Sequence, residues 1–417
     1  MRIVLLFHCI CLSFIAFTQS DQIVIKVHTN NYEYINVPVR IPLEKLPVYD
    51  WENLVLYQKQ GPSYQSLPFQ IESGSNPKMI FMMGGHTDAH NVREFILIPE
   101  KKTANFSSVE IIADHESYLM TLGDQKILSY QHREKMPPEG VDPIFRRSAY
   151  IHPLWSPSQT VVTRIHPKDH YHHYGIWNPW TRTKFREEEI DFWNLGENQG
   201  TVRFKGLISQ VEGPVYGEIN VLQDHIRFSD GNEEETVLHE SWTLRAWKID
   251  NNDKYWLIDF TSMLNCATES PIELLAYRYG GGIGFRASEY WTNKNTSVLT
   301  SEGRTREDAD GSRAKWCMVS AKTEDRSSEP GILFMSHPFN REHPEPMRVW
   351  PPDANEGRGD LFFEFCPIRY NDWILKPGKE YTLHYRLLVF DSPIIPEEAE
   401  LYWKSFVNSP EIEIIRD

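Results

Sequence analysis

The residues with the greatest chemical potential are histidines crowded into one short segment. Five of the sixteen histidines lie between His152 and His173, and the densest part is the DHYHHY sequence at residues 169–174. Crowded imidazoles lose hydration and repel one another when protonated, so a solvated surface run is a poor explanation. In an extended strand, His170 and His172 would share one face and His173 the other. In the loop that a flanking proline and glycine indicate, all three could converge.

Three interpretations of this cluster are open. Neutral imidazoles beside a carboxylate suit a transition metal such as zinc, copper or iron. A histidine can also take a proton near neutral pH while a tyrosine or a second histidine returns one. In the third interpretation the histidines are structural, and they bridge backbone groups and stack on Trp177 and Trp180.

A second group of candidate residues is the YRYGGGIGFR sequence at 277–286. Three adjacent glycines weaken a strand and favour a sharp bend or a close approach of the backbone to a ligand. The segment lacks the Lys-Ser/Thr pair and the following helix of a phosphate loop. Arg278 and Arg286 could clamp a carboxylate or sulfate. A bulged strand whose arginines pair with local acids is the alternative.

Three smaller candidates lie further along the chain. The SHPFNREHP sequence at 336–344 predicts a loop, in which His337 and Arg341 are candidate binding residues. Glu364 is a carboxylate in an otherwise apolar strand, which predicts either a buried group with a partner or an edge position facing water. Asp191 is likewise a carboxylate between apolar residues, in the EIDFW sequence at 189–193.

The elements that must position these residues are predicted to be β-strands. Short runs of β-branched and aromatic residues recur between turn signals, which is typical of β-sandwiches. The predicted strands are Ile23–Val27, Phe95–Ile98, Val109–Ala113, Tyr118–Leu122, Lys126–Tyr130, Thr201–Ile208, Glu240–Ile249, Tyr255–Leu264, Gly331–Met335, Leu361–Phe365 and Tyr381–Phe390. One helix is predicted over Pro396–Asn408, where acidic residues precede an apolar face.

The prolines, glycine and charges of residues 134–143 predict a linker. The first twenty residues have an apolar run from Ile3 to Phe17, with small side chains at Thr18 and Ser20, which is typical of a cleaved signal peptide. The sequence therefore predicts a signal peptide over residues 1–20, an N-terminal β domain over 21–137 and a β-sandwich domain over 138–417. The expected location is periplasmic or extracellular.

Composition excludes several classes of protein. The chain has 417 residues, 40% of them hydrophobic, which is enough apolar area for a packed core. A net charge of -15, from 43 basic and 58 acidic residues, would repel nucleic acid. No segment after the predicted signal peptide is long and apolar enough for a membrane span.

The histidine segment, YRYGGGIGFR and SHPFNREHP together resemble the secreted bacterial family called PmoA-like. The resemblance covers about residues 147–390. It implies a β-sandwich similar to that of sugar mutarotases and some polysaccharide lyases, and an association with polysaccharide-degrading systems. Members usually carry arginine after the double histidine, where this chain has Tyr174, so the role of that position does not transfer.

These observations predict a secreted enzyme that acts on uronic-acid-containing oligosaccharides by β-elimination, as a lyase or a dehydratase. Arg278 would neutralise the substrate carboxylate, His170 or His173 would remove the C5 proton, and Tyr174 or another histidine would protonate the leaving oxygen. The predicted substrate-binding residues are Arg164, His172, Trp177, Tyr279, Arg286, His337, Arg341 and Glu364. No cofactor and no metal are expected.

Three alternatives stay open at this point. A glycoside hydrolase would need two carboxylates, for which Asp191 and Glu364 are the candidates. A non-catalytic carbohydrate-binding protein would bind sugar without forming product. A metal oxygenase is the third. The oligomeric state, the sugar and the linkage do not follow from the sequence.

Overall fold

The computed structural model describes residues 22–46, 51, 53–100, 105–229, 233–250, 252–325 and 327–416. The predicted signal peptide lies outside these residues.

Strands dominate the described chain. The strands before residue 100 are β1 (Ile23–His28), β2 (Tyr34–Pro42), β3 (Leu54–Gln60), β4 (Ser63–Leu67), β5 (Phe69–Glu72), β6 (Lys78–Thr87) and β7 (Val92–Pro99). The next are β8 (Val109–Ala113), β9 (Ser117–Leu122), β10 (Gln125–Gln131), β11 (Tyr150–Leu154), β12 (Ile176–Trp177), β13 (Thr183–Phe185) and β14 (Glu188–Ile190).

The second half continues in the same way. Its first strands are β15 (Gly200–Val211), β16 (Tyr216–Phe228), β17 (Glu234–Trp247), β18 (Tyr255–Cys266), β19 (Ile272–Leu274) and β20 (Ile283–Arg286). The remaining elements are β21 (Thr296–Thr300), β22 (Arg313–Ala314), β23 (Trp316–Ala321), β24 (Gly331–Ser336), β25 (Glu345–Val349), β26 (Phe362–Phe365), β27 (Trp373–Leu375), β28 (Tyr381–Phe390), helix α1 (Pro396–Val407) and β29 (Glu411–Arg416). Short 3-10 helices cover Leu43–Lys45, Pro143–Phe145 and Leu195–Glu197.

Two large antiparallel sheets form the sandwich. The first has nine strands in the order β22-β25-β26-β20-β12-β11-β10-β9-β8, and the second has eight in the order β15-β16-β17-β18-β28-β24-β23-β21. Alternate residues of both sheets enter one core; Ile151 and Phe363 come from the first sheet, and Trp242 and Phe260 from the second. The predicted all-β sandwich is confirmed. A smaller four-stranded sheet has the order β14-β13-β19-β27.

A smaller β unit at the N-terminus has its own core. Its sheets have the orders β29-β1-β7-β3-β4 and β2-β6-β5, so the last strand of the chain pairs with the first. Strands β8–β10 instead pair into the nine-stranded sheet, because β10 forms a ladder with β11. Strands from both sides of the boundary predicted at residues 137–138 therefore belong to one sheet.

The hairpin of β9 and β10 and the helix α1 lie where the sequence predicts them. None of the described helices has the length and hydropathy of a membrane span.

The outer face of the nine-stranded sheet positions the candidate site. Side chains alternate along a strand, so Phe363 enters the sandwich core while Phe362 points outwards. Trp177 and Tyr150 also lie on this outer face. With Trp193 and Trp350 from loops, they form a second apolar layer, on which the loops of the site rest.

Candidate functional site

A pocket of about 390 Å3 opens above this apolar layer. It is lined by His170, His172, His173, Trp193, Asn194, Arg278, Tyr279, Arg348, Trp350, Pro351, Ala354, Asn355 and Phe362. The structure thus brings together five predicted site residues from segments that are about a hundred residues apart: His170, His172, His173, Arg278 and Tyr279. No carboxylate is among the described lining residues.

Two consecutive turns fold the histidine segment. The backbone N–H of His170 donates to the carbonyl of Pro167 at 2.9 Å, and that of His173 donates to the carbonyl of His170 at 3.0 Å. The ring centroid of His170 lies 5.4 Å from that of His172 and 4.7 Å from that of His173. Of the two arrangements that the sequence allows, the structure therefore adopts the loop, in which the three histidine rings lie together.

His170 forms a carboxylate–imidazole pair. Its Nδ1 lies 2.8 Å from Oδ2 of Asp169. Burial opposes ionisation of Asp169, but hydrogen bonds from His170 and Arg286 hold the pKa of this carboxyl well below its usual range. An ionised carboxylate accepts the Nδ1 proton, which leaves Nε2 of His170 as the basic nitrogen. The half-buried His170 ring lines the pocket and therefore has the arrangement of a general base.

The other two histidines are held neutral. Burial, with His170 and Arg286, lowers the pKa of His172 to about 3. Burial also lowers the pKa of His173 well below its usual value, and Nη1 of Arg286 lies 3.3 Å from Nδ1 of His173. Because a guanidinium can only donate, Nδ1 of His173 accepts. The His173 ring packs 4.9 Å from that of Trp177. This geometry favours His170 over His173 as the base.

A buried acid–base network supports the pocket from below. Asp360 is 1% exposed and accepts from Nη2 of Arg164 at 2.8 Å. Nη2 of Arg286 donates to Oδ2 of Asp169 at 2.7 Å and lies 3.5 Å from Oδ1 of Asp360. Asn355 donates to both carboxylates. The predicted substrate-binding arginines Arg164 and Arg286 therefore lie beneath the pocket and pair with acids, so Arg286 is not half of a clamp with Arg278.

Arg278, unlike Arg164 and Arg286, is exposed and is paired with none of the described acids. Its exposed guanidinium lies 5.7 Å from the ring centroid of Tyr279, and it forms no ion pair with any described residue. Burial raises the pKa of Tyr279 to about 12, so its hydroxyl keeps its proton at neutral pH. That hydroxyl exchanges hydrogen bonds with the side-chain amide of Asn194 at 3.2 and 3.4 Å. The pocket thus contains a cation free for an anionic ligand and a protonated phenol.

Sequence reasoning missed part of the lining. Trp350 and Asn355 lie in the loop after β25, and Arg348 lies in that strand, where it pairs with Asp310 at 2.6 Å. No motif in the sequence marked these residues, although Trp350 stands directly before two prolines. Trp193 and Asn194 lie two and three residues after Asp191.

Tyr174 and Trp177 lie outside the pocket. The Tyr174 hydroxyl donates to the carbonyl of Phe145 and lies 2.6 Å from Nε2 of His166. Burial raises the pKa of Tyr174 well above its usual value. This environment does not support the acid role predicted for Tyr174, because its proton is committed to a backbone carbonyl. Trp177 is fully buried beneath His173 and contributes packing.

The two candidate carboxylates of a hydrolase are also absent from the lining. Glu364 is fully buried in a central strand, and its Oε1 accepts from the backbone N–H of Gly280 at 2.7 Å. Burial raises its pKa well above the usual value. Asp191 caps its own turn by accepting from the N–H groups of Trp193 and Asn194, each at 2.8 Å. Neither carboxylate has the substrate-facing position that the sequence suggested.

The glycine run bends the chain around a tryptophan. Gly280, Gly281 and Gly282 have φ angles of 117°, 75° and 62°. A Cβ on Gly281 would lie 1.9 Å from the ring of Trp180. These glycines are needed for a sharp bend and close packing.

His337 and Arg341, which the sequence predicted as substrate-binding residues, do not line this pocket. His337 lines a different cavity, and Arg341 donates to the carbonyl of Asp372 at 2.6 Å. Their loop is held by the buried Glu345, which accepts from Ser336, from Nδ2 of Asn340 at 3.0 Å and from the hydroxyl of Tyr385 at 2.9 Å.

Glu345 predicts a pH-dependent stability. Burial raises its pKa from 4.5 to about 7, so its protonated form is favoured in the folded protein. The stabilisation that protonated Glu345 adds to the folded protein is complete below pH 4.5 and is lost as the pH rises through 7. We expect the free energy of unfolding of the wild type, relative to Glu345→Gln, to fall by about 2–3 kcal/mol between pH 5 and pH 8 in urea titrations. The exposed Glu324→Gln should show no such change, and equal differences at both pH values would contradict the prediction.

Within the ranges that the structure describes, no three His, Cys, Asp or Glu side chains converge as metal ligands. In the histidine cluster, the Arg286 guanidinium contacts Nδ1 of His173 at 3.3 Å and Oδ2 of Asp169 at 2.7 Å.

Comparisons with known proteins identify one family. A family described as "Family of unknown function (DUF6807)" matches residues 117–404. No curated protein matches the chain.

Several solved structures are similar in part. An alpha-mannosidase from Enterococcus faecalis V583 has 10% identity and a TM-score of 0.43 over 96% of this chain and 47% of that chain. A heparan sulfate lyase HepC mutant from Pedobacter heparinus has 9% identity and a TM-score of 0.34 over 71% and 38%. A GH36 alpha-galactosidase from Geobacillus stearothermophilus has 9% identity and a TM-score of 0.29 over 68% and 40%. The chain spans less than half the length of each.

Proposed function

Because the chain belongs to the DUF6807 family, whose description names no reaction, we propose its function from its pocket: a carbohydrate-active enzyme that cleaves or dehydrates uronic-acid-containing oligosaccharides by β-elimination. The observation that carries the proposal is the unpaired Arg278 in the same pocket as the Asp169–His170 pair. Secretion or export to the periplasm, and the resemblance to the PmoA-like family, stay predictions.

The reaction needs three groups, and the pocket lining offers each of them. Arg278 binds the uronate carboxylate and makes the C5 proton more acidic. Nε2 of His170 takes that proton, and the C5–H electron pair forms the C4=C5 double bond while the C4–O bond breaks. The leaving oxygen takes the proton of the Tyr279 hydroxyl. If that oxygen belongs to a sugar the enzyme is a lyase, and if it belongs to a hydroxyl group water leaves and the enzyme is a dehydratase.

The remaining lining fits a sugar ring. Trp350 and Phe362 provide apolar walls, and the amides of Asn194 and Asn355 lie beside them as hydrogen-bonding groups. A pocket with mainly aromatic walls and a few placed polar groups is typical of small-ligand recognition. Its volume of about 390 Å3 is in the range of such sites.

A hydrolase is supported less well. Hydrolysis of a glycosidic bond normally uses two carboxylates that flank the bond. The described lining has none, and Asp191 and Glu364 are committed to backbone N–H groups. A non-catalytic binding protein would use the same pocket without product, so the test must measure product.

The central test uses Arg278. Wild-type protein incubated with uronic-acid-containing oligosaccharides should produce ultraviolet absorbance from a 4,5-unsaturated uronate. We expect Arg278→Gln to lower kcat/KM by about a hundredfold, since one placed cation is lost from the developing negative charge. Arg278→Lys should retain more activity because it keeps the charge.

Mass spectrometry separates the outcomes. Loss of water without chain cleavage would identify a dehydratase, and cleavage with an unsaturated end would identify a lyase. The matched control is Arg304→Gln, which removes an exposed arginine that pairs with Asp308. New reducing ends without absorbance would overturn elimination in favour of hydrolysis.

A further inference from the structure

A second cavity, of about 420 Å3, lies on the other large sheet. Its floor is the outer face of the eight-stranded sheet, and β2, α1 and the loop after β24 contribute to its walls. Arg40 comes from β2, Phe406 from α1, and His337 and Phe339 come from the loop. None of these residues lines the pocket of the proposed reaction.

The floor is a ladder of alternating charges. Glu218, Arg245, Asp259 and Arg386 are register partners on four adjacent strands. Nε of Arg245 donates to Glu218 at 2.5 Å, and Arg386 donates to both oxygens of Asp259 at 2.5 and 2.9 Å. The carboxylates of the floor are therefore already occupied by arginines.

Arg40 is the cation of this cavity that has no such partner. It is half-buried, with its guanidinium carbon 5.3 Å from the ring centroid of Trp247, and it forms no hydrogen bond or ion pair with the residues that the structure describes. A guanidinium has five N–H donors in a planar fork, which match a carboxylate or a sulfate. Burial, with Arg386 and Arg245, lowers the pKa of Arg40, whereas Asp259 and Glu72 oppose that shift, as a bound anion would.

The rim of the cavity offers a face for a ring. Phe339 is 84% exposed, although large apolar side chains are normally covered. Its ring centroid lies 4.9 Å from that of His337, which in turn lies 5.2 Å from the ring of Phe406. Burial lowers the pKa of His337 to about 4, so this histidine contributes hydrogen bonds and no charge at neutral pH. Thr243 adds a hydroxyl to the lining.

We infer that this cavity is a second saccharide-binding site, in which Arg40 holds the carboxylate or sulfate of one sugar unit and Phe339 covers the ring. This site differs from the pocket of the proposed reaction. Binding at this second site needs no turnover, so the site can bind sugar whether or not the first pocket catalyses elimination.

The test is a calorimetric titration in an Arg278→Gln background, which removes anion binding at the first pocket. Glucuronic acid is the probe, with glucose and inorganic sulfate as comparisons. We expect one molecule of glucuronate per chain, at least tenfold weaker binding in Arg40→Gln, and about fivefold weaker binding in Phe339→Ala. Glucose should bind at least tenfold more weakly than glucuronate.

The matched controls are Arg304→Gln and Tyr290→Ala, an exposed arginine and an exposed aromatic residue outside the cavity. Both should bind glucuronate as the background protein does. If Arg40→Gln fails to fold, Phe339→Ala decides the question, because its exposed ring supports little packing.

Two results would overturn the inference. The first is that glucuronate does not bind, or that it binds Arg40→Gln and Phe339→Ala as tightly as it binds the background protein. The second is sulfate binding as tight as glucuronate binding with no effect of Phe339→Ala, which would mean an anion site without sugar recognition. The calorimetric titration measures binding and needs no turnover. The second-site proposal can therefore be tested even if the elimination assay shows no product.

Discussion

Replacement of His170 by alanine is expected to lower the rate of elimination by about a thousandfold, the usual scale for loss of a general base. The expectation rests on the 2.8 Å contact between Nδ1 of His170 and Asp169, which leaves Nε2 basic. The His170 side chain is partly exposed, so its removal should leave the melting temperature nearly unchanged. The measurement is the initial rate of absorbance increase, with circular dichroism as a check of folding.

The control for His170 is His115→Ala, which removes an exposed histidine on the surface. Added imidazole should restore part of the activity of His170→Ala, because the missing group is a base and not a packing element. A His170→Ala variant with wild-type activity would assign the base elsewhere, and His173, the other histidine predicted as the base, would be the next residue to replace.

Of the single replacements proposed here, Asp360→Ala should lower the free energy of unfolding most. Asp360 is 1% exposed, accepts from Arg164 at 2.8 Å and from Asn355 at 2.9 Å, and forms an ion pair with Arg358 at 3.1 Å. Its removal leaves the buried guanidinium of Arg286 with one carboxylate in place of two. Breaking such a buried arrangement costs about 3–5 kcal/mol in the free energy of unfolding.

Urea unfolding at pH 7 measures this loss. The matched control is Asp88→Ala, because the exposed Asp88 side chain pairs with His86 at 3.6 Å and its removal should cost about 1 kcal/mol or less. Asp360→Ala should also lower the elimination rate, since Arg286 and Asn355 hold Asp169 against His170. A change in stability no larger than that of the control would contradict the supporting role of Asp360.

The local elements follow from the sequence. The strand pairs around residues 118–130 and 240–264 and the helix near residue 400 are where alternation and turn residues predict them. The reason is that β-branched runs between short turns have few alternative pairings. For the histidines the sequence allows a strand or a loop, and the structure adopts the loop, in which the three rings lie together.

The composition of the pocket does not follow from the sequence. Arg278 and Arg286 flank the same glycines, yet one faces the pocket and the other is buried between Asp169 and Asp360. Which arginine is free depends on acids that lie more than seventy residues away in the chain. The packing of two loops onto the sheet, the histidine loop with Asp169 and the loop after β25 with Asp360, sets those distances.

The sequence by itself therefore determined the all-β sandwich, its hairpins and the segment that carries the histidine cluster, because these depend on local periodicity, turn chemistry and residue type. Tertiary structure alone decided that Tyr279 and not Tyr174 lines the pocket, and that Glu364 is buried beneath a glycine bend. The physical reason is that burial and ion pairing depend on which distant surfaces come together, and these set the charge and the proton of each group.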